Sequence, residues 1–353
     1  MRVVVVGASG NTGTAVLRRL ARHDEVSEIT GIARRIPGEN AGEPYDDVYW
    51  HAIDVGAPGA VSALTSVFAG AGAVIQLAWQ IQPSHARRAI RRTNVTGTAQ
   101  VAEAAVRAAV PTLVVASSVG AYAPGPADQR VTEDWPVTGV PGSSYSRDKA
   151  DVEALLDEVE LEHPELRVVR IRPGLVFQKW AAAEIARYFV GPLAPLPLLR
   201  RGRLPVVPFD PRLRVQAVHA DDVADAYVRA ALTEVKGAFN VAADPVLDSA
   251  RVAARFAGRA VPVPPVVLRW GTSLTWHARL QPTDPGWVRL AAGAPLMSIE
   301  RAAQELGWRP RVDALRALAE LIDGMAQGTG APAPPLRPRG VADLRIPGHG
   351  NPY

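Results

Sequence analysis

The feature that most constrains this chain is its beginning. Val3–Val6 is a short, uninterrupted β-branched run, followed at once by Gly7-Ala8-Ser9-Gly10-Asn11-Thr12-Gly13 and then by a helical pattern over Thr12–Arg22. A strand buried on both faces reads as a continuous apolar run rather than an alternating one. Glycines at its end allow a tight turn and let the backbone approach a ligand closely. The unpaired N–H groups of the following helix then favour an anionic phosphate. Gly7, Ser9, Gly10, Asn11, Thr12 and Gly13 are therefore candidate contacts of a dinucleotide pyrophosphate, although the spacing is G-x-x-G-x-x-G rather than G-x-G-x-x-G.

The pattern continues beyond the first unit. Glu28–Ala33, Ala73–Ala78, Leu113–Ala116 and Arg167–Ile171 read as buried strands, and Ala60–Phe68, Thr93–Ala109 and Ser144–Glu160 as helices. Such alternation builds right-handed βαβ units. The expected class is α/β, a Rossmann-type doubly wound parallel sheet over 1–175. Proline-rich stretches at 191–211 and 261–265, with strand-like Val215–Val218 and Ala238–Val241 between them, predict a smaller C-terminal substrate-binding region over 176–327. That region should interleave with the sheet, about 215–242 returning to it. Residues 328–353 are rich in Pro and Gly and read as an extended tail.

Composition narrows the function classes. The formal net charge is +4 with the arginines scattered, so no basic stripe calls for nucleic acid. There are no cysteines, which removes disulfides, thiol nucleophiles and cysteine-based metal sites, and no metal site is expected. The N-terminal run is broken by Gly7 too early for a signal peptide. No run reaches the roughly 18 apolar residues of a membrane span. A soluble, cytoplasmic protein is expected.

Two further patterns carry chemistry. Where the second strand ends, the carboxylate that would hold the ribose hydroxyls of NAD is replaced by Arg34-Arg35. Guanidinium pairs bidentately with phosphate, which favours NADP over NAD, the other reading being a solvated turn. Tyr145 and Lys149 stand four apart, on one helix face, after a strand that ends in Ser117-Ser118. A nearby ammonium would lower the phenol's pKa toward a usable range, and the Ser118 hydroxyl could hold a substrate oxygen while the proton moves.

With these elements in order, the sequence resembles the extended short-chain dehydrogenase/reductases, a group that includes NAD-dependent epimerases and dehydratases. The resemblance runs from Val3 to about Pro310. It rests on the glycine loop, Asp54-Val55, Leu77-Ala78, Asn94-Val95-Thr96-Gly97-Thr98, Ser117-Ser118, Tyr145 to Lys149, Arg172-Pro173-Gly174, His219 to Ala224 and Glu305 to Pro310. It implies that Asp54 binds the adenine amine and Val55 its face. It implies that Leu77, Ala78 and Ser117 border the cofactor, and that Asn94 orders the catalytic helix and a water. Tyr145 would be the general acid/base, Lys149 the nicotinamide-ribose contact, and Pro173 a contact on the nicotinamide side. His219 reads as fold-holding rather than catalytic. By the same resemblance a homodimer is expected.

The substrate is less legible. Val215 stands where sugar-nucleotide enzymes of the group carry a diphosphate-gripping arginine, although Arg212 or Arg214 could substitute. Phe177, Trp180, Tyr188, Phe189, Pro192 and Leu193 suggest an apolar pocket wall, or for Tyr188 and Phe189 a helix-face core. Trp79 can shape the pocket or fill core. Arg87, Arg88, Arg91 and Arg92 read as a solvated face or an anion-steering rim. The favoured reading is an oxidoreductase for a small-molecule secondary alcohol or ketone. The alternatives are a sugar-nucleotide epimerase or dehydratase with tightly held NAD, and a non-catalytic dinucleotide sensor.

Overall fold

The valine run forms β1 (Arg2–Val6), with Val3 to Val6 wholly buried between two helical layers. The computed structural model describes residues 1–82, 86–126, 128–190, 206–209, 213–263 and 284–338. β1 lies inside a seven-stranded sheet with β2 (Glu28–Ala33), β3 (Tyr49–Ala52), β4 (Ala73–Gln76), β5 (Thr112–Ala116), β7 (Arg167–Pro173) and β11 (Gly237–Val241). The order is β11-β7-β5-β4-β1-β2-β3, and every pairing is parallel. The chain builds β1 to β3 outward on one side and then crosses back to lay β4 on the other. That reversal opens a crevice at the carboxyl ends of β1 and β4, where ligands of open α/β sheets bind.

β3 was not legible in the sequence, because this edge strand is largely exposed and lacks the apolar run of its neighbours. β4 ends two residues before the predicted Ala78. Leu77 and Ala78 leave the ladder there to close over Gly7, whose φ is +84°. A Cβ on Gly7 would meet Ala78 N at 2.6 Å, and one on Gly13 would meet the Gly7 carbonyl at 2.3 Å, so both positions require glycine.

Helices α1 (Asn11–Leu20), α2 (Ala60–Phe68), α4 (Gly97–Arg107) and α5 (Ser144–Glu162) fall where the periodicity placed them. A short α3 (Arg87–Arg91) runs into a π-helical turn, Arg92–Thr96, that the sequence pattern read as ordinary helix.

The C-terminal region is interleaved, but not in the way expected. β11 returns to the central sheet beside β7, whereas β10 (Val215–His219) joins β8 (Leu175–Phe177) and β12 (Ala243–Leu247) in a separate three-stranded sheet. Two short parallel pairs complete the strands: β6 (Arg130–Val131) with β14 (Leu296–Met297), and β9 (Val206–Phe209) with β13 (Arg259–Pro262). Around them lie α6 (Ala182–Ile185), α7 (Ala220–Leu232), α8 (Ser249–Arg255), α9 (Pro285–Gly293), α10 (Glu300–Glu305) and α11 (Ala314–Gln327).

The late motif docks on α7. Buried Trp308 donates its indole N–H to the Asp222 carbonyl at 2.8 Å, and the Asp222 carboxylate accepts from the Arg311 and Val312 N–H groups. His219 accepts from Asp221 N at 3.2 Å, so it caps α7, the fold-holding role expected of it. The segment read as an extended tail is packed over 328–338: Ala331, Ala333 and Leu336 are buried, and Arg187 donates to the Pro335 and Arg337 carbonyls. Small apolar residues suffice there because the neighbouring helix face is itself small. Residues 339–353 lie outside the described residues.

Candidate active site

At the end of β1 the glycine loop opens α1 with Gly10 as N-cap, and no side chain caps the helix. Its first-turn N–H groups therefore face outward without a protein partner of that kind, the arrangement that attracts a phosphate. The loop is one wall of an open cleft with about 850 Å³ of empty space. Gly7, Ser9 and Gly10 line it together with Arg34, Arg35, Asp54, Val55, Leu77 and Ala78. Nine of the candidate cofactor residues thus share one concavity. Asp54 accepts from Gly56 N at 2.9 Å, a turn that fixes its carboxylate at the rim. Arg34 and Arg35 are exposed at the same end.

Other candidates are turned elsewhere. Asn11 and Thr12 do not line the cleft; Asn11 is held by Gln178, which donates to its carbonyl at 2.8 Å and its Oδ1 at 2.6 Å. This fastens the start of α1 to β8. Gly13 contributes close packing rather than contact. Ser117 is buried and donates to Glu153, inside a network where Glu153 takes a two-point bond from Arg172 (2.8 and 2.9 Å). The Ser117 hydroxyl therefore serves that network. Pro173 lies at the end of β7, outside the cleft lining.

Asn94 is held by a neighbouring segment. Its Nδ2 donates to the Gln80 carbonyl at 3.0 Å and its Oδ1 accepts from Gln80 N at 2.7 Å. Both ends of the amide clamp the 78–82 segment, and the π-helical turn presents Asn94 for that purpose. The segment so fixed carries Trp79. Trp79 lines the cleft on one side and meets Tyr145 edge-on at 6.0 Å on the other. It is thus a wall of the site, and its buried indole N–H has no partner among the described residues.

Beyond Trp79 stands the proton-handling group. Tyr145 and Lys149 lie one turn apart on α5, after a Ser143 N-cap. The Ser118 hydroxyl accepts from Gly120 N at 3.0 Å and also engages the Tyr145 phenol. Burial pushes the phenol up to about 12, with the Ser118 hydrogen bond pulling against it. The expected lowering by Lys149 is not the outcome. The Lys149 ammonium donates to the Ala116 carbonyl at 2.6 Å and lies 3.4 Å over the Trp79 ring, 6.0 Å from the Tyr145 ring. Burial pushes Lys149 itself down to about 7, against the pull of Glu153 and Asp148.

The far side of Tyr145 is aromatic. Trp287, at the start of α9, stacks on it at 4.8 Å, and Phe189 meets Trp287 edge-on at 5.0 Å. Sequence reasoning missed Trp287, which lies far along the chain in a stretch without a motif. Of the predicted wall, Tyr188 lines the cleft and Phe189 joins the aromatic group. Phe177 packs instead among core residues, and Trp180 is exposed. Pro192, Leu193 and Arg212 lie outside the described residues. Arg87 and Arg91 are paired with Asp148 at 2.8 and 3.2 Å, so they dock α3 on α5 instead of forming a steering rim. No helix among the described residues is long and apolar enough to cross a membrane.

These residues fit a dinucleotide: a glycine cradle that any Cβ at Gly7 or Gly13 would fill, an uncapped helix start, and an orphaned indole N–H. Comparisons with known proteins agree. An uncharacterized protein of Mycobacterium tuberculosis is 24% identical over 332 residues, covering 91% of this chain and 83% of that protein. The L-arabinose 1-dehydrogenase (NAD(P)(+)) of Haloferax volcanii is 33% identical over 117 residues, 33% of this chain and 41% of that enzyme. Among solved structures, the UDP-glucuronic acid 4-epimerase of Bacillus cereus, in complex with UDP-glucuronic acid and NAD, superposes with a TM-score of 0.68 at 15% identity, covering 93% of this chain and 99% of that one. The sequence model of the NAD dependent epimerase/dehydratase family matches residues 3–242. A Rossmann sheet, a glycine cradle and that match over most of the chain lead to one assignment: this chain belongs to the NAD-dependent epimerase/dehydratase family of enzymes.

Proposed function

We propose that the enzyme interconverts a secondary alcohol and a ketone with a dissociable nicotinamide cofactor, preferring NADP(H). The observation that carries this reading is the Tyr145–Ser118 pair, set against the Trp79, Trp287 and Phe189 rings. With its pKa pushed up to about 12, the Tyr145 phenol holds its proton at neutral pH and is a donor. In the reductive direction Tyr145 gives that proton to the carbonyl oxygen, while Ser118 orients the same oxygen. A bound nicotinamide supplies the hydride that the carbonyl carbon accepts. The aromatic rings exclude water and favour an apolar body on the substrate. Gly7, Ser9, Gly10, Asp54, Val55 and Ala78 would hold the cofactor. Arg34 and Arg35, which make no hydrogen bond or ion pair among the described residues, support recognition of a 2′-phosphate.

A second reading, a sugar-nucleotide epimerase or dehydratase that retains its NAD, is favoured by the structural likeness. The dTDP-glucose 4,6-dehydratase of Streptomyces venezuelae, solved with NAD, superposes over 93% of this chain and 97% of that one, with a TM-score of 0.67 at 17% identity. Against it, Val215 replaces the arginine of that branch, and exposed Arg214 opens on another concavity beside Arg130 and Arg251. Mass spectrometry of the cofactor released from freshly purified protein separates the two. An empty site that binds NADPH over NADH supports the reductase. Stoichiometric NAD carried through purification overturns it in favour of the epimerase or dehydratase.

A further inference from the structure

Glu184, on α6, has no part in the site derived above. Its side chain is buried, 7% exposed, and it lines the same cleft as Ser9 and Gly10, together with Tyr188 and Pro335. It makes no hydrogen bond or salt bridge among the described residues. A buried carboxylate in that position is unexpected for two reasons. An unpaired buried charge is costly in itself. The cleft is also built for an anion, so the charge of the dinucleotide's phosphates would oppose a carboxylate in the same concavity.

The surroundings supply little compensation. The elements packed on α6 carry Lys179 and Arg187 on either side of it in the chain, Arg316, Glu320 and Asp323 on α11, and Arg337 after the 334–336 turn. Of these only the charge of Arg187 acts on Glu184. Arg187 is itself anchored to the Pro335 and Arg337 carbonyls at 2.7 and 2.9 Å. Among the described residues, the phenol of Tyr188 and Arg34, Arg35 and Asp54 are the other titratable groups that line the cleft.

We infer that Glu184 is a contact of the dinucleotide that works as a neutral carboxylic acid, so that cofactor binding is linked to the uptake of a proton by this residue. This inference rests on the cleft being the dinucleotide site. The neutral acid can donate a hydrogen bond to an oxygen of the ligand, which the carboxylate cannot. Burial pushes Glu184 up to about 7, against the pull of Arg187, so both forms are accessible near neutral pH.

The test is calorimetric titration of the full chain with NAD, whose pyrophosphate does not change charge between pH 5.5 and 8.5. Each titration is run in two buffers of different ionisation enthalpy. Wild-type protein should take up a proton approaching one per site at the alkaline end, and the Kd should weaken by up to about tenfold per pH unit above neutrality. Glu184→Gln, which keeps shape and donor capacity, should hold its low-pH affinity across the range and lose most of the proton uptake. Lys149→Met, a control for the other group that titrates near neutrality, should retain the uptake. Three results overturn the inference: saturable binding without proton uptake, uptake lost in Lys149→Met but kept in Glu184→Gln, or weaker binding by Glu184→Gln at pH 8.5. Absence of saturable binding of NAD or NADP at any pH would defeat the dinucleotide reading itself and this inference with it.

Discussion

Glu153 and Glu184 are both buried carboxylates, 2% and 7% exposed, and their surroundings drive them in opposite directions. Glu153, behind the strand ends, takes two bonds from Arg172 and one each from Arg170 and Ser117, and these partners hold its carboxyl below the usual range despite burial. Glu184, on the cleft wall, meets no hydrogen-bond partner among the described residues, and burial pushes it up to about 7. The first is a charge-paired network that ties α5 to β7. The second is a polar group without a hydrogen-bond partner among the described residues, on the wall of an open cleft. Burial alone therefore does not separate frame from function; the state of the partners does.

The largest expected effect lies on the functional side. Tyr145→Phe removes the proton but keeps the ring between Trp79 and Trp287. Turnover should fall by about 10²–10⁴ with cofactor affinity and Tm nearly unchanged. Weakened cofactor binding with turnover kept would remove Tyr145 from the chemistry and leave it as packing.

The frame should respond in stability. Glu153→Ala leaves the buried Arg170 and Arg172 guanidiniums without their shared carboxylate, and breaking such a network costs about 3–5 kcal/mol. Urea unfolding should show that loss. A change under about 1 kcal/mol would mean that Asp157 and Glu160, which also reach Arg170, carry the network without Glu153.

How much of this was legible in the sequence follows the same division. Val3–Val6 and the glycine loop were readable because a central strand and a tight turn closed over by its neighbours tolerate few residue types. That Asp54, Arg34 and Ala78 gather in one cleft followed from their positions at strand ends. The bond of Ser117 to Glu153 was not legible, because adjacent serines at a strand end point to opposite sides and which one faces a buried glutamate is settled only by packing. The bonds of Asn94 to Gln80 were not legible, because the π-helical turn that presents the amide has no sequence signature. Trp287 and Glu184 carry no motif, and their place in the site depends on how chain beyond β8 folds back over the sheet. The Lys149–Tyr145 coupling failed for a physical reason: Trp79 and the Ala116 carbonyl compete for the ammonium.

A smaller effect would sharpen the account of the cleft's other end. Arg34→Ala should raise the Kd for NADP by about one to two decades, since a charge-assisted hydrogen bond is worth about 1.5–3 kcal/mol. The Kd for NAD should barely move. Equal losses for both cofactors would make Arg34 part of the adenosine wall, with no role toward a 2′-phosphate.

A further effect, read as a modest shift in melting temperature, returns to the two carboxylates and has a sign that can be worked out. The Glu184 pKa is raised on folding from 4.5 to about 7, so the folded state binds more protons between those values. Its contribution favours folding at low pH and is lost as the pH rises through about 7. Glu184→Gln removes that penalty. The variant should match wild type near pH 4.5 and exceed it at pH 8 by about 3 kcal/mol. In a thermal melt that is a gain of a few degrees. Glu153→Gln should do the reverse, because there the ionised form is the one its partners stabilise. A loss of stability at pH 8 in both variants would place Glu184 in the frame beside Glu153, holding an ionised carboxylate against Arg187.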